Sequence, residues 1–329
     1  MAGLREHEKK RRVIFAFFVL RARQKSFPKN NSLYRKKSYF SKSPLKATIM
    51  KRIIVLVLAG ILLNFSVNAQ GIRVTYSRYY KIDKELRGYK ADMDLTLDYT
   101  PSHSSFYSDN TFVRDSIGLI AFNGQGGIKD DEAYAKMARL PGTTSKDVVL
   151  YDAANGTVTE YYRLATHIIK GEGNVGIPKW TISDETSEIL EYKVRKAEAE
   201  FLGRRWIVWF AEEIPASAGP WMLTGTPGLI LKAEDSESLF KFEARYIENL
   251  SEEDDRFTRL TEILEKQLKR PYGKSLKFSG SLKECEKINY KIHTDVDYFN
   301  RVSGIVTQDS SDGANILKYI PLIPAGFLK

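Results

Sequence analysis

The chain has 329 residues, a formal net charge of +10 and a pI near 9.3, a balance that taken whole suits a nucleic-acid binder. Its distribution excludes that reading: residues 1–69 hold 16 Lys and Arg against Glu6 and Glu8, while the rest carries 35 basic and 39 acidic residues. One cysteine, Cys285, excludes a disulfide scaffold, so an ordinary hydrophobic core must hold the protein.

The first segment with a clear meaning starts at Met50. Lys51 and Arg52 precede the apolar run "IIVLVLAGILL" (Ile53 to Leu63), and "NFSVNAQG" follows. A charged start, a short apolar stretch and Val67-x-Ala69 have the layout of a secretory signal peptide. The run is too short to span a bilayer, which takes about 20 apolar residues. No cysteine follows it for lipid attachment. The expectation is cleavage after Ala69, leaving residues 70–329 as a single mature β-rich domain without a transmembrane anchor, in the periplasm or at the cell surface. Residues 1–49 are basic and read either as a mis-assigned start or as a basic extension outside the folded domain.

Strand patterns dominate the mature chain. "MDLTLDY" sets Met93, Leu95, Leu97 and Tyr99 against Asp94, Thr96 and Asp98, the alternation of a strand with one wet face. "VVLYDAANGTVTEYY" places two strand-like runs around Asn155-Gly156, a hairpin signal. From Trp180 to Tyr246 the chain reads as a meander, with turns near Gly203-Arg204 and Asp235 to Ser238. "LFKFEARY" puts Phe240, Phe242, Ala244 and Tyr246 on one face. "RWIVWF" is apolar on both faces: Trp206, Val208 and Phe210 on one, Ile207 and Trp209 on the other. Such a strand is covered on both sides, by a helix, another sheet or a ligand.

Helix is sparse in this pattern. Asp130 to Leu140 fits a short helix. "EEDDRFTRLTEILEKQLKR" fits a longer one, with Phe257, Leu260, Ile263, Leu264 and Leu268 on one face and Pro271 as its stop. Beyond Gly273 the chain is polar and weakly periodic.

Motifs for chemistry are missing or incomplete. His7, His103, His167 and His293 lack metal-ligand spacing, and no cofactor is expected. Asp92, Asp94 and Asp98 line one strand face and suit a wet acidic surface better than a calcium site. "NGQGGIKD" lacks the ending of a phosphate loop, and no nucleophile elbow exists. Glu212-Glu213 and Asp254-Asp255 are sequence neighbours, which does not make acid–base pairs of them. No catalytic residue is assigned, and an enzyme is the less favoured reading. A hydrolase would need His103 or His167 to meet a carboxylate in space.

The segment "EILEYKVRKAEAEFLGRRWIVWFAEEIPASAGPWMLTGTPGLILKAED" carries a Gly-Arg turn, W-x-x-W, E-I-P, G-P-W and the hexapeptide Gly225 to Ile230, then an acid. It resembles the GLPGLI family of exported Bacteroidota-type proteins over roughly residues 180 to 246. Thr226 replaces the family leucine, and Val194 stands where members often carry a cysteine. The resemblance implies no catalytic residues. It implies a curved antiparallel sheet, open as a half-barrel in the manner of periplasmic lipoprotein carriers, with one or two packed helices. Gly219, Pro220, Trp221, Gly225, Pro227 and Gly228 are expected to shape a corner. The leading functional expectation is non-enzymatic binding of an apolar or extended ligand on aromatic strand faces, at Trp206, Trp209, Phe210 and Trp221. The alternative is an interaction module of an outer-membrane uptake or assembly complex.

Overall fold

The computed structural model describes residues 71–329 apart from 82–87, 124–126, 142–144, 146, 165–166, 270–276, 304–319, 325–326 and 328–329. The expected signal peptide, its expected cleavage site and His7 lie outside the described residues.

The protein is mainly β. Among the described residues twelve strands form one open sheet: β1 (Gly71–Tyr80), β2 (Lys90–Tyr99), β3 (His103–Ser108), β4 (Val148–Asp152), β5 (Thr157–Leu164), β6 (His167–Gly173), β7 (Thr181–Ile189), β8 (Tyr192–Phe201), β9 (Arg204–Ala211), β10 (Leu229–Asp235), β11 (Phe240–Leu250) and β12 (Lys277–Ser281). Their order is β12-β6-β5-β4-β3-β2-β1-β11-β10-β9-β8-β7. Every pairing is antiparallel except β12 with β6. Two meanders, β2 to β6 and β7 to β11, therefore meet on either side of the first strand.

Turn chemistry explains the hairpins. β4 and β5 join through Asn155-Gly156, where Gly156 takes φ +69°. β8 and β9 turn on Leu202-Gly203, both left-handed, the pair of positive φ values that a tight right-twisted hairpin requires. β7 and β8 turn on Leu190-Glu191 with the same geometry and no glycine.

Five helices occur among the described residues, where the sequence pattern suggests one or two: α1 (Asp109–Ala121), α2 (Asp131–Ala138), α3 (Phe257–Lys269), α4 (Leu282–Thr294) and α5 (Val296–Ser303). They lie on both faces of the sheet. We call the face bearing Trp206 and Phe242 the inner face. On the outer face, Leu260 and Leu264 of α3 and Phe112 of α1 pack on Tyr107, Val148, Leu150, Tyr161 and Ile168. On the inner face, Cys285 and Ile292 of α4 pack on Ile169, with Tyr298 and Phe299 of α5 behind them. Gly171 permits this approach, because a Cβ there would lie 2.5 Å from the Cβ of Cys285.

The α1 cover changes the reading of β2. Asp94, Thr96 and Asp98 do not form a wet face: Thr96 and Asp98 are buried and Asp98 is clamped by Arg73 at 2.6 and 2.8 Å. Meanwhile Met93 is 57% exposed. The three aspartates also do not share a face. A register shift between Tyr76 and Arg78 sets Arg78 opposite Asp92, which turns Asp92 inward. A second shift on β1, between Thr75 and Tyr76, leaves Tyr246 exposed although Phe240, Phe242 and Ala244 are buried.

Candidate functional site

The inner face divides into a half that the chain closes and a half that it leaves open. The closed half lies over β8 to β11. Trp206, Val208 and Phe210 are fully buried there with Phe242. Their cover is the Gly/Pro segment between β9 and β10. It leaves β9 at Ala211, runs across the inner face, and returns as β10: the amide of Leu229 donates to the Ile214 carbonyl at 3.2 Å and that of Ile230 to Ala218 at 2.9 Å. Ala216, Ala218, Trp221, Met222 and Leu223 are buried along it. Trp221 adopts φ +56° and drops its ring between Trp206 and Phe201, with centroids 5.9 and 6.3 Å away.

The glycines of this segment act for separate reasons. Gly228 passes so close to β9 that a Cβ would lie 2.0 Å from the Ala211 carbonyl oxygen. Gly225 takes φ +90°, a region L side chains rarely adopt, and faces Ile177. A Cβ on Gly219 would meet Ile230 at 2.8 Å. Thr226 is buried and donates its hydroxyl hydrogen to the Gly228 carbonyl at 2.6 Å. Val194 is a buried core residue.

The Gly-Arg turn and the acid after the hexapeptide meet in space. Arg204 and Asp235 form a buried ion pair at 2.9 Å. Asp235 also accepts from the amides of Leu239 and Phe240 at 2.7 and 2.8 Å, closing the β10–β11 turn. Arg204 donates further to the carbonyls of Leu322 and Pro321 at 2.7 and 2.6 Å, tying the C-terminal strap to the sheet.

Of the aromatic residues expected to hold a ligand, Trp206, Phe210 and Trp221 thus lie in the packed core. The space beside Trp221, lined by Tyr99, Val149, Tyr151 and Leu223, is about 30 Å³. Ligand pockets run to roughly 300–1,000 Å³. Trp209 points outward, onto a shallow hollow of about 460 Å³ with Ile189, Leu231 and Lys232.

The open half lies beside α4, which packs on β5, β6 and β12. A cleft of about 320 Å³ is lined by Arg78, Asp147, Glu160, Tyr162, Glu286 and Asn289, with apolar walls from Tyr80, Phe240, Ile320 and Leu322. Alternation brings these residues together: Glu160 and Tyr162 share the inner parity of β5, and Glu286, Asn289 and His293 share one face of α4. Burial is the main force that raises the Glu160 carboxyl well above the ordinary range, and the neighbouring Glu286 adds to it. Burial likewise raises Glu286 and Asp147. The Trp221 indole N–H faces Glu160 from the closed half. Two acceptors in this wall have no hydrogen-bond partner, Glu160 Oε2 and Asn289 Oδ1.

His293 stands at the cleft's edge. Its Nδ1 lies 2.9 Å from the Asn289 carbonyl and so carries the proton; Nε2 then accepts from the Tyr162 hydroxyl at 2.6 Å. Burial lowers its pKa, which favours the neutral ring. Cys285, nearby under α4, is buried, and its thiol is pushed far up by burial, the reverse of what a nucleophile needs.

His103 does meet a carboxylate. Its Nε2 lies 2.5 Å from Asp255, and Ser102 Oγ lies 3.0 Å from Nδ1. The ring stacks on Phe257 with centroids 4.3 Å apart. Ser102 and His103 are neighbours on an exposed turn, and the trio fastens the start of β3 to the entry of α3. His167 lies in β6; its side chain is outside the described residues. Glu212 pairs with Arg195 at 2.8 Å, and Asp254 accepts from Ser251 at 2.6 Å, so neither carboxylate couplet forms an acid–base pair. Among the described residues no three His, Cys, Asp or Glu side chains converge to hold a metal ion, and no helix is long and apolar enough to cross a membrane.

Sequence reasoning missed the cleft because its members are scattered from Arg78 to Leu322. One local signal was available. Ser281 and Glu284 form a reciprocal capping box at the start of α4, and Leu282, Cys285, Asn289 and Ile292 follow at helical spacing.

No family model matches the chain, and no curated protein matches it. The structure is similar to two crystal forms of PNGF-II at 15% identity, with TM-scores of 0.42 and 0.41, over 66% and 67% of this chain. The match spans about a third of the PNGF-II chains, 33% and 32%. It is also similar to an uncharacterized conserved protein from Thermus thermophilus, at 9% identity and a TM-score of 0.31, over 65% of this chain and 91% of that one. These likenesses are distant.

Proposed function

We propose that the protein is an exported cell-envelope component of the GLPGLI kind that acts by binding a small ligand in the cleft beneath α4. The observation that carries this reading is the contrast along the inner face. The aromatic half is covered by the chain's own Gly/Pro segment, whereas the α4 half keeps about 320 Å³ walled by buried carboxyls and by acceptors without donors. Unsatisfied buried polar atoms cost roughly 1–3 kcal/mol each, and a ligand that satisfies them recovers that loss. Export is supported by the charged start, apolar run and Val67-x-Ala69 that precede β1.

Two measurements test this. N-terminal sequencing of the protein recovered from the envelope should begin at Gln70; a start at Met1 would sink the export half. Native mass spectrometry of the same material should show a stoichiometric small-molecule adduct. A bare chain under conditions that preserve adducts of control proteins counts against binding.

A further inference from the structure

We propose, resting on the cleft as the ligand site, that its ligand presents an organic cation, an ammonium or guanidinium group, to Glu160, Glu286 and Asp147. The charge balance is the first argument. Arg78 is committed to Asp92, with Nε 2.7 Å from Oδ2, and Arg163 to Asp115. Three more carboxyls line the cleft against these two committed arginines, which attract Asp147 in addition to their own partners. Such a wall repels an anion.

The hydrogen-bond balance is the second argument, and it is independent of charge. Asn289 is more than nine-tenths buried and lines the cleft, yet its Oδ1 has no donor. Glu160, also more than nine-tenths buried, has the same deficit at Oε2. Asn289 Oδ1 can only accept, and Glu160 Oε2 accepts once its carboxyl is ionised, so a partner bringing N–H groups satisfies both. Tyr162 directs its hydroxyl hydrogen to His293. An N–H cation supplies donors and positive charge together. Tyr80, Phe240, Ile320 and Leu322 offer apolar contact for the carbon body of such a molecule. Burial and mutual repulsion hold part of the carboxyl charge back in the free protein, and an incoming cation would restore it.

The test is titration of the purified protein with putrescine, agmatine, 1,4-butanediol and succinate, read by calorimetry and by the Trp221 indole N–H resonance. The expected result is saturable binding of putrescine or agmatine that moves the Trp221 signal. Affinity should fall about tenfold or more in Glu160→Gln and in Asp147→Asn, a loss of about 1.4 kcal/mol, and stay unchanged in Glu253→Gln on the surface. Asp147 is half-buried, so its variant guards against a folding failure at Glu160. Binding of succinate or butanediol with the same Trp221 shift would overturn the cation class and keep the cleft. Amine binding indifferent to both cleft variants would overturn the site. No saturable shift with either amine overturns the cation class, and the native adduct, tested in the same variants, then decides whether the cleft stands.

Discussion

The two halves of the inner face use similar strands for opposite ends. Over β8 to β11, an irregular segment of small residues lies flat on the sheet, and Trp221 fills the last gap between Trp206 and Phe201. Over β5 and β6 the cover is a helix, whose side chains set a minimum standoff except at Gly171. A helix keeps its backbone hydrogen bonds internal and can leave space beside it; a flat loop must give its amides to the sheet and leaves little. The difference teaches that aromatic richness marks the packed half, and that scattered acids mark the half with room.

The comparison can be broken most forcefully at Gly228. Gly228→Ala drives a methyl into the Ala211 carbonyl and should destabilise by more than about 4 kcal/mol or abolish folding, as urea unfolding would show. Normal stability would mean that the segment can lift off β9 and that the closed half is not closed. Next is Asp235→Ala, which strands Arg204 and two turn amides. A loss of about 3–5 kcal/mol is expected, with faster proteolysis of the C-terminal strap as its local signature.

Glu160→Gln sharpens the comparison from the open side. The native carboxyl holds its proton more tightly than the unfolded chain does. The native state is therefore favoured at low pH and loses ground as pH rises from the unfolded value near 4.5 toward the higher folded value. The glutamine variant lacks this penalty. Its stability relative to the natural protein should improve with pH, by up to about 1.4 kcal/mol per unit across that window. A pH-independent difference would place Glu160 in contact with water. The smallest effect belongs to Met93→Ser on the outer surface of β2, expected within about 0.5 kcal/mol.

Much of the fold was legible from local pattern. The Asn155-Gly156 hairpin, the inward face of Trp206, Val208 and Phe210, and the α3 stripe of Leu260, Ile263 and Leu264 all follow from spacing alone. Asp92 was not legible, since one shifted pair on β1 and β2 reverses its face without any mark in composition. α1 and α4 were missed because polar residues on their buried sides, such as Thr111, Glu286 and Asn289, dilute the apolar period. The cleft needed both errors corrected, as it joins Arg78 and its inward Asp92 to the buried polar side of α4.

The placement of β1 has a consequence for how the molecule assembles. Each meander is built from neighbours in sequence and can form early, but the strand that unites them is the first among the described residues, and its partner β11 ends at Leu250. Closing that contact spans most of the domain, and pairings so distant in sequence are slow to form. The sheet stays in two pieces until nearly the whole chain is available. If the protein is exported as proposed, a chain threaded through a translocon from its amino end would remain pliant during passage and knit its seam on the far side.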